Sequence, residues 1–596
     1  MRLRSTLAVS SFAALVATGA FGTQAWSQTL SDPTAKLARV ELDPVAAPTT
    51  AESKPSSASN DPVVTPAQTP TDAVKIEDLP PVVPSANPVS SPAPEPIATP
   101  TTANLTADPI AADVRQRLAK IGPTLVKDER QALLQYYAVD GAKPLWVTDK
   151  ALSPRGIALQ AELGKADDWG LQAKDFDIPG ALASDATSEQ LGEAEVRLSI
   201  AALKYARFAR GGRVDPTQLS TYLDRKAQLL PAKRVLEELR TAAEPDAYLR
   251  GLHPQHPQFE KLRQAFLTLR DAPAAPAAAV PDAAPAPKGT KPAALPERGS
   301  ARKLIANMEM WRWMPTDLGN MYLMVNVPEF QFRLVRGGEV IHTERVVTGK
   351  PETQTPIFSD MMETVVFKPT WNVPDSIKVK ELLPALARNP AALSRQGLKV
   401  SYKGQEVDPT TIDWATTDIR ALHVFQPPSG DNALGIVKFL FPNKHAVYLH
   451  DTPSKALFNS TRRTFSHGCI RVRNPVRLAE ILMEIDRTWS PAQVKSQLAP
   501  GAADNNNTTL TKKFPVHIAY FTAWANDAGE MQYFPDVYAY ETNVHLGLEG
   551  KSHLIVKKKE ENLGAIRAAN IGPMVESKPV SSPASREWMK KIFDNN

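Results

Sequence analysis

The chain has a single cysteine in 596 residues, Cys469, and that scarcity removes several chemistries at once. An internal disulfide framework, a four-cysteine zinc site and an iron–sulfur cluster all need more thiols than one. Long apolar runs are also lacking. The run from Leu7 to Phe21 is 15 residues, rich in Ala and Ser, short of the ~20 that span a bilayer, and no later segment reaches that length. Charge of one sign is not in excess: 69 Lys and Arg against 64 Asp and Glu leave +5, spread along the chain. Such a balance gives no electrostatic ground for a nucleic-acid partner. Proline is in surplus, with 53 residues where the usual share is ~5%, and the surplus belongs to linkers. The length suffices for several compact units, each with its own core.

Met1-Arg2-Leu3-Arg4, the apolar run and the small residues Ala25 and Ser27 follow the order of a secretory signal. Residues 1–27 are therefore expected to be a signal peptide cleaved after Ser27, with an uncleaved anchor as the alternative. Either route puts the bulk of the chain outside the cytoplasm, in the periplasm, with no stable membrane span after cleavage. Residues 31–110 hold 16 prolines among Ala, Ser, Thr and Val. Such a stretch cannot bury enough apolar surface to order itself, so 28–110 is expected to be a disordered tether.

From 111 to 271 apolar residues recur at three-to-four spacing, as in Val196, Leu198, Ile200 and Leu203, which predicts an all-α domain. Between Ala272 and Pro296, 18 of 25 residues are Ala or Pro, so 272–298 is expected to be a stiff linker and a domain boundary. Strand patterns follow. Gln331–Val335 and Val340–Val347 alternate around Gly337-Gly338 and predict a hairpin, and strands are also expected at Val516–Tyr520 and Val537–Tyr540. Residues 375–394 and 475–487 read as helices, the second with Asn474 as cap and Pro475 in the first position. The tail from 549 to 596, with Lys557-Lys558-Lys559, is expected to be poorly ordered.

Cys469 lies in Ser466-His467-Gly468-Cys469-Ile470-Arg471-Val472-Arg473. Cationic neighbours lower a thiol pKa and favour the nucleophilic thiolate. Gly468 lets backbone approach a ligand closely, so the amides of Gly468 and Cys469 form a candidate oxyanion hole. His450 ends the strand-like run Ala446–His450 and would serve as general base if the two loops meet. A small buried apolar role for the cysteine stays open at this stage. A zinc site built from His450, His467 and Cys469 would lack the second cysteine or regular spacing of such sites.

The segment Tyr448-Leu449-His450-Asp451-Thr452-Pro453, with Ser466-His467-Gly468-Cys469-Ile470-Arg471-Val472 further on, resembles the catalytic signature of L,D-transpeptidases, cysteine enzymes that cross-link peptidoglycan. Asn307–Trp313, Val346–Lys350, Pro369–Pro374 and Phe441–His445 extend the resemblance to the large periplasmic members. Tyr136-Tyr137, Pro144-Leu145-Trp146 and Gly251–Pro257 are similar to their scaffold domain. The resemblance implies an α+β chain: a mostly antiparallel β catalytic domain at 299–548, a helical lid insertion at about 375–435, and the all-α scaffold before it. Those members usually carry a peptidoglycan-binding module between scaffold and catalytic domain, where this chain has only the Ala/Pro linker.

The implied reaction is acyl transfer through Cys469. His450 would be the proton acceptor and donor, and His467 would orient the site. Arg471, Tyr448, Ser466 and Trp371 are candidate substrate contacts, with a salt bridge for Arg471 and core packing for the two aromatics as the competing readings. The partners would be peptidoglycan stem peptides, and no metal or other cofactor is expected. A Cys/His carboxypeptidase using water as acceptor, and a non-catalytic wall-binding scaffold, remain as alternatives.

Overall fold

The computed structural model describes residues 108–121, 125–139, 142–183, 185–272, 300–389 and 391–557. The expected signal peptide, nearly all of the tether and linker, and most of the tail lie outside them. Residues Pro109 and Ile110, expected in the tether, open the first helix, Pro109–Lys120, whose N-cap Asp108 accepts from the amides of Ile110 and Ala111. At the other end a 3₁₀ turn, Ser552–Leu554, carries the described chain past 548.

The N-terminal part is helical. Its centre is the 24-residue helix Ser188–Gly211, opened by a capping box between Thr187 and Gln190. The helices Pro109–Lys120, Lys127–Ala138, Pro154–Gly164 and Ala232–Thr241 pack around it. Their core runs through Leu133, Tyr137, Trp146, Leu159, Leu191, Leu198 and Leu239, all buried. Inside it, the Glu195 carboxylate accepts from the amides of Leu145 (2.6 Å) and Trp146 (2.8 Å) and from the Tyr137 hydroxyl, while Trp146 Nε1 donates to Ser199 Oγ at 2.9 Å. The Tyr136-Tyr137 and Pro144–Trp146 motifs are thus one polar knot buried under the helices.

The division expected at the linker does not hold for the core. The helix Pro257–Asp271 turns Phe259, Leu262 and Phe266 into the same core as the C-terminal sheet. Gln258 clasps the Ala525 backbone with both halves of its amide, at 2.7 and 2.9 Å. The two histidines of Gly251–Pro257 stack on tryptophans of either side, His253 on Trp169 at 4.3 Å and His256 on Trp311 at 4.6 Å. The helix also touches the helical part, with Phe259 against His253 and Arg263 over Trp169, so it bridges the two.

Nine strands form the main sheet: β1 Met321–Asn326, β2 Gln331–Arg336, β3 Glu339–Gly349, β4 Ser359–Phe367, and, after the insertion, β9 Val437–Leu440, β10 Leu449–His450, β11 Thr464–Ser466, β12 Ile470–Val472 and β13 Asn506–Ala519. The inserted strands are β5 Trp371–Asn372, β6 Lys399–Tyr402, β7 Gln405–Val407 and β8 His423–Gln426. The order is β11-β3-β12-β10-β9-β4-β13-β1-β2, and β2 pairs again with β3. The ring of strands thus closes through β2 and β3, with β11 attached to β3 alone. Most pairings are antiparallel; β1–β13, β10–β12 and β11–β3 are parallel. The β2–β3 hairpin turns at Gly337 and Gly338, both at positive φ (59° and 84°), as a two-residue turn of this hand requires.

Three local expectations change. The insertion is not purely helical: β5–β8 form a four-stranded antiparallel sheet, and with the short helices they enclose a separate core of Val373, Leu386, Leu393, Val400, Trp414 and Val424. Val537–Tyr540 is not a strand. Ala539 sits at φ 62° and a helix, Tyr540–Leu548, begins there, because Asp536 gathers the amides of Glu541 and Thr542 while the Tyr538 hydroxyl binds Gly349 O. The helix Pro475–Arg487 forms as expected, but Asn474 gives its side chain to Glu344 at 2.6 Å rather than capping it.

Candidate active site

β10 and β12 lie side by side in parallel, with Leu449 opposite Ile470 and His450 opposite Arg471. Leu449 and Ile470 are fully buried in the core. Alternation along a strand then sends Tyr448, His450, Cys469 and Arg471 to the other face. Neighbouring strands run about 4.8 Å apart, so His450 stands across from Arg471 and diagonally from Cys469 on one surface. β9 flanks β10 on its far side and sets Lys438 opposite His450. Tyr448 meets the His450 ring edge-on at 5.6 Å, and Lys438 Nζ stands 5.8 Å from the Tyr448 ring centre.

The proton positions follow from the partners. His450 Nδ1 faces Asp451 O at 2.5 Å, and a carbonyl can only accept, so Nδ1 carries the hydrogen and Nε2 is the basic nitrogen. Burial, together with the positive charges of Arg471 and Lys438, pulls the imidazole down to about 3. The Cys469 thiol moves the other way from the sequence-based expectation. Burial raises its pKa, and the amide and hydroxyl of Tyr448, with Arg471 and Lys438, offset that only in part. Cationic neighbours do act on the sulfur, but loss of water outweighs them. At neutral pH the resting pair is a neutral thiol beside a neutral imidazole. The thiol is also within 3.9 Å of Ala446 O.

The turn before the sulfur is tightly tied. Gly468 has φ +119°, a region that excludes side chains, and its carbonyl accepts from Thr355 Oγ1 at 2.8 Å. Ser466 Oγ donates to Cys469 O at 2.6 Å and accepts from Gly468 N–H at 3.2 Å. His467 projects outward and pairs with Glu381 of the insertion, Nε2 to Oε1 at 2.6 Å. Between them runs a groove of about 130 Å³ lined by Gln354, Ile377, Glu381, His467, Gly468 and, from the helical part, Tyr222.

Comparison with known proteins bears on this arrangement. Residues 320–511 match the L,D-transpeptidase catalytic domain family, and residues 131–266 match the scaffold domain family. The chain carries an L,D-transpeptidase catalytic domain. A Haemophilus influenzae protein described as a candidate L,D-transpeptidase is 32% identical over 251 residues, 42% of this chain and 50% of that protein. The chain thus spans about half the length of that relative. An L,D-transpeptidase from Mycobacterium smegmatis shares 12% identity over 33% of this chain and 58% of its own, with a TM-score of 0.15. L,D-transpeptidase 1 of Mycobacterium tuberculosis shares 14% over 34% and 61%, with a TM-score of 0.14. Overlaps this low carry no argument about the site.

Within the transpeptidase domain the candidate contacts divide. Tyr448 and Arg471 stand beside the sulfur, and Arg471 Nε is buried without a hydrogen-bond partner. Ser466 and Trp371 are engaged within the protein. Ser466 is buried with its hydroxyl engaged in the turn, and Trp371 packs against the core of the insertion. The Gly468 amide, a candidate for the oxyanion hole, is held by Ser466. Lys438 and Glu381 escaped the sequence reading: neither has a local signature, and only strand order and the folded insertion bring them to the site. Two larger hollows, about 440 Å³ at the seam beside Trp311 and Tyr322 and about 790 Å³ beside Tyr136 in the helical part, include none of the residues around the sulfur.

Proposed function

We propose that the protein is a periplasmic peptidoglycan L,D-transpeptidase that forms 3→3 cross-links by a cysteine acyl-enzyme route. The observation that supports this is the pairing of β10 with β12, with His450, basic at Nε2, and Cys469 on one face within the matched residues. Because thiol and imidazole rest neutral, the proton leaves sulfur for His450 as sulfur attacks the carbonyl of the third stem residue. The bond to the terminal D-Ala breaks, His450 returns the proton to the leaving amine, and a thioester remains. The neutral side-chain amine of a second stem then attacks the thioester carbonyl. The C–S bond breaks, and the amine's surplus proton passes through His450 back to sulfur.

The amide of Cys469 receives the oxyanion, joined by that of Gly468 once it exchanges its 3.2 Å bond to Ser466 for the stronger charge-assisted one. Arg471, with its orphaned Nε, and Lys438 supply the positive charge that a donor carboxylate needs. The test is incubation of the protein with a disaccharide-tetrapeptide followed by mass analysis. Cross-linked dimers and free D-Ala are expected, and neither with Cys469→Ala. Bare tripeptide without dimers would transfer the assignment to a carboxypeptidase.

A further inference from the structure

We propose that Glu381, in the insertion, is the residue that recognises the ammonium of the acceptor stem. This rests on the transpeptidase reading above and concerns its second half-reaction, for which no binding group has been named. The helix of the insertion widens to a π-turn at Lys378–Leu382, a distortion concentrated at functional sites. It places Glu381 opposite His467, two residues before the nucleophile. The carboxylate is 51% exposed, and the contact engages only Oε1, by His467 Nε2 at 2.6 Å. That single bond holds the group over the groove and leaves the second oxygen to accept from a ligand.

The charges beside the sulfur are cationic, and the groove wall is mixed, Glu381 beside Lys380. On the sheet face Lys438 and Arg471 crowd the thiol, and neither lines the groove on the side of the insertion, where Glu381 is the acidic wall residue and Lys380 lies next to it. The two substrates differ in the same sense. The donor ends in a carboxylate, and the acceptor brings a primary ammonium. A carboxylate that accepts hydrogen bonds from that ammonium holds its nitrogen at the groove end where Gly468 meets Cys469, and the ammonium gives one proton to solvent before the neutral amine attacks.

The experiment compares the full chain with Glu381→Gln and Glu381→Asp on a tetrapeptide donor, with a free diamino acid or tripeptide stem as acceptor. The expected result for Glu381→Gln is a D-Ala burst equal in size to wild type, a KM for the amine at least tenfold higher, and product diverted from dimer to hydrolysed tripeptide. Glu381→Asp should recover part of the acceptor KM. An unchanged acceptor KM overturns the proposal. So does a parallel loss of D-Ala release and transfer in both variants, which marks Glu381 as a latch for the insertion. Absence of any D-Ala burst from wild type overturns the transpeptidase reading itself, and this inference with it.

Discussion

Cys469 rests protonated because the surface that brings its base near also removes its water. Lys438 and Arg471 each work against that burial, so removing one raises the thiol pKa further. For Lys438→Met, alkylation of Cys469 by iodoacetamide at pH 8 should slow by roughly threefold or more, since the rate follows the thiolate fraction. The pH–rate curve should shift to the alkaline side, read by mass spectrometry of the labelled chain. Faster labelling would mean that the lysine does not act on the sulfur. Cys469, His450 and Tyr448 were legible in the sequence because each lies in a short run whose chemistry is explicit. Lys438 was not. It sits in Val437–Leu440, a short run without markers, and meets His450 only because β9 folds back antiparallel on β10. Ser466 differs again: a hydroxyl three residues from a nucleophile suggests substrate, and in the fold the turn takes its proton and one of its two lone pairs.

Among elements, the segment 220–225 ties the helical part to the catalytic sheet. Leu223 forms a β-bridge with Ile357, Asp224 binds Lys444 (2.8 Å) and His445 (2.9 Å) ahead of β10, and Tyr222 lines the groove. Arg225 pins the segment from below, donating to Ser359 Oγ (2.5 Å), Phe358 O (3.1 Å) and Ile518 O (2.7 Å) from a fully buried position. Arg225→Met removes all three of these hydrogen bonds, with Phe358 O keeping the Ile518 amide and Ser359 Oγ its bond to His517, a loss of about 1–3 kcal/mol, and frees the wall that carries Tyr222. Denaturant unfolding should show that loss of stability. Donor KM should rise as well, and an unchanged KM would reduce the segment to a structural tie. The helical and hairpin elements were readable from periodicity and turn residues. The inserted sheet was not, since Lys399–Tyr402, Gln405–Val407 and His423–Gln426 are too short for alternation to separate them from loop. Nor was the allegiance of Pro257–Asp271, because the pattern shows an apolar face and not the surface that covers it.

For the molecule as a whole, acid should be the weak direction. His253, His256, His450 and His517 are buried neutral; burial draws His256 and His517 down to about 4, His450 to about 3, and His253 well below its ordinary value. In the unfolded chain these rings titrate near 6.5. Unfolding therefore takes up protons below that value, and the stability they protect is complete above about pH 6.5 and lost as pH falls toward 4. Two buried carboxyls act in reverse. Burial raises Glu195 to about 7, so it binds a proton in the folded state that it releases on unfolding and favours folding at the acid end of the range; burial moves Glu309 in the same direction, against the Arg312 guanidinium and the amides of Val214 and Arg213. The protons gained at these rings outnumber the one that Glu195 releases, so unfolding takes up protons between pH 6 and 5 and stability falls with pH there. The urea midpoint should fall steadily from pH 7 to pH 5, and replacing His517 with a neutral isostere such as Asn, which cannot titrate, should flatten the curve. A midpoint that stays level across that interval would show that these rings open to solvent and protonate without unfolding, and the apolar packing of His253 on Trp169 and His256 on Trp311 would then be too loose to join the two parts of the chain.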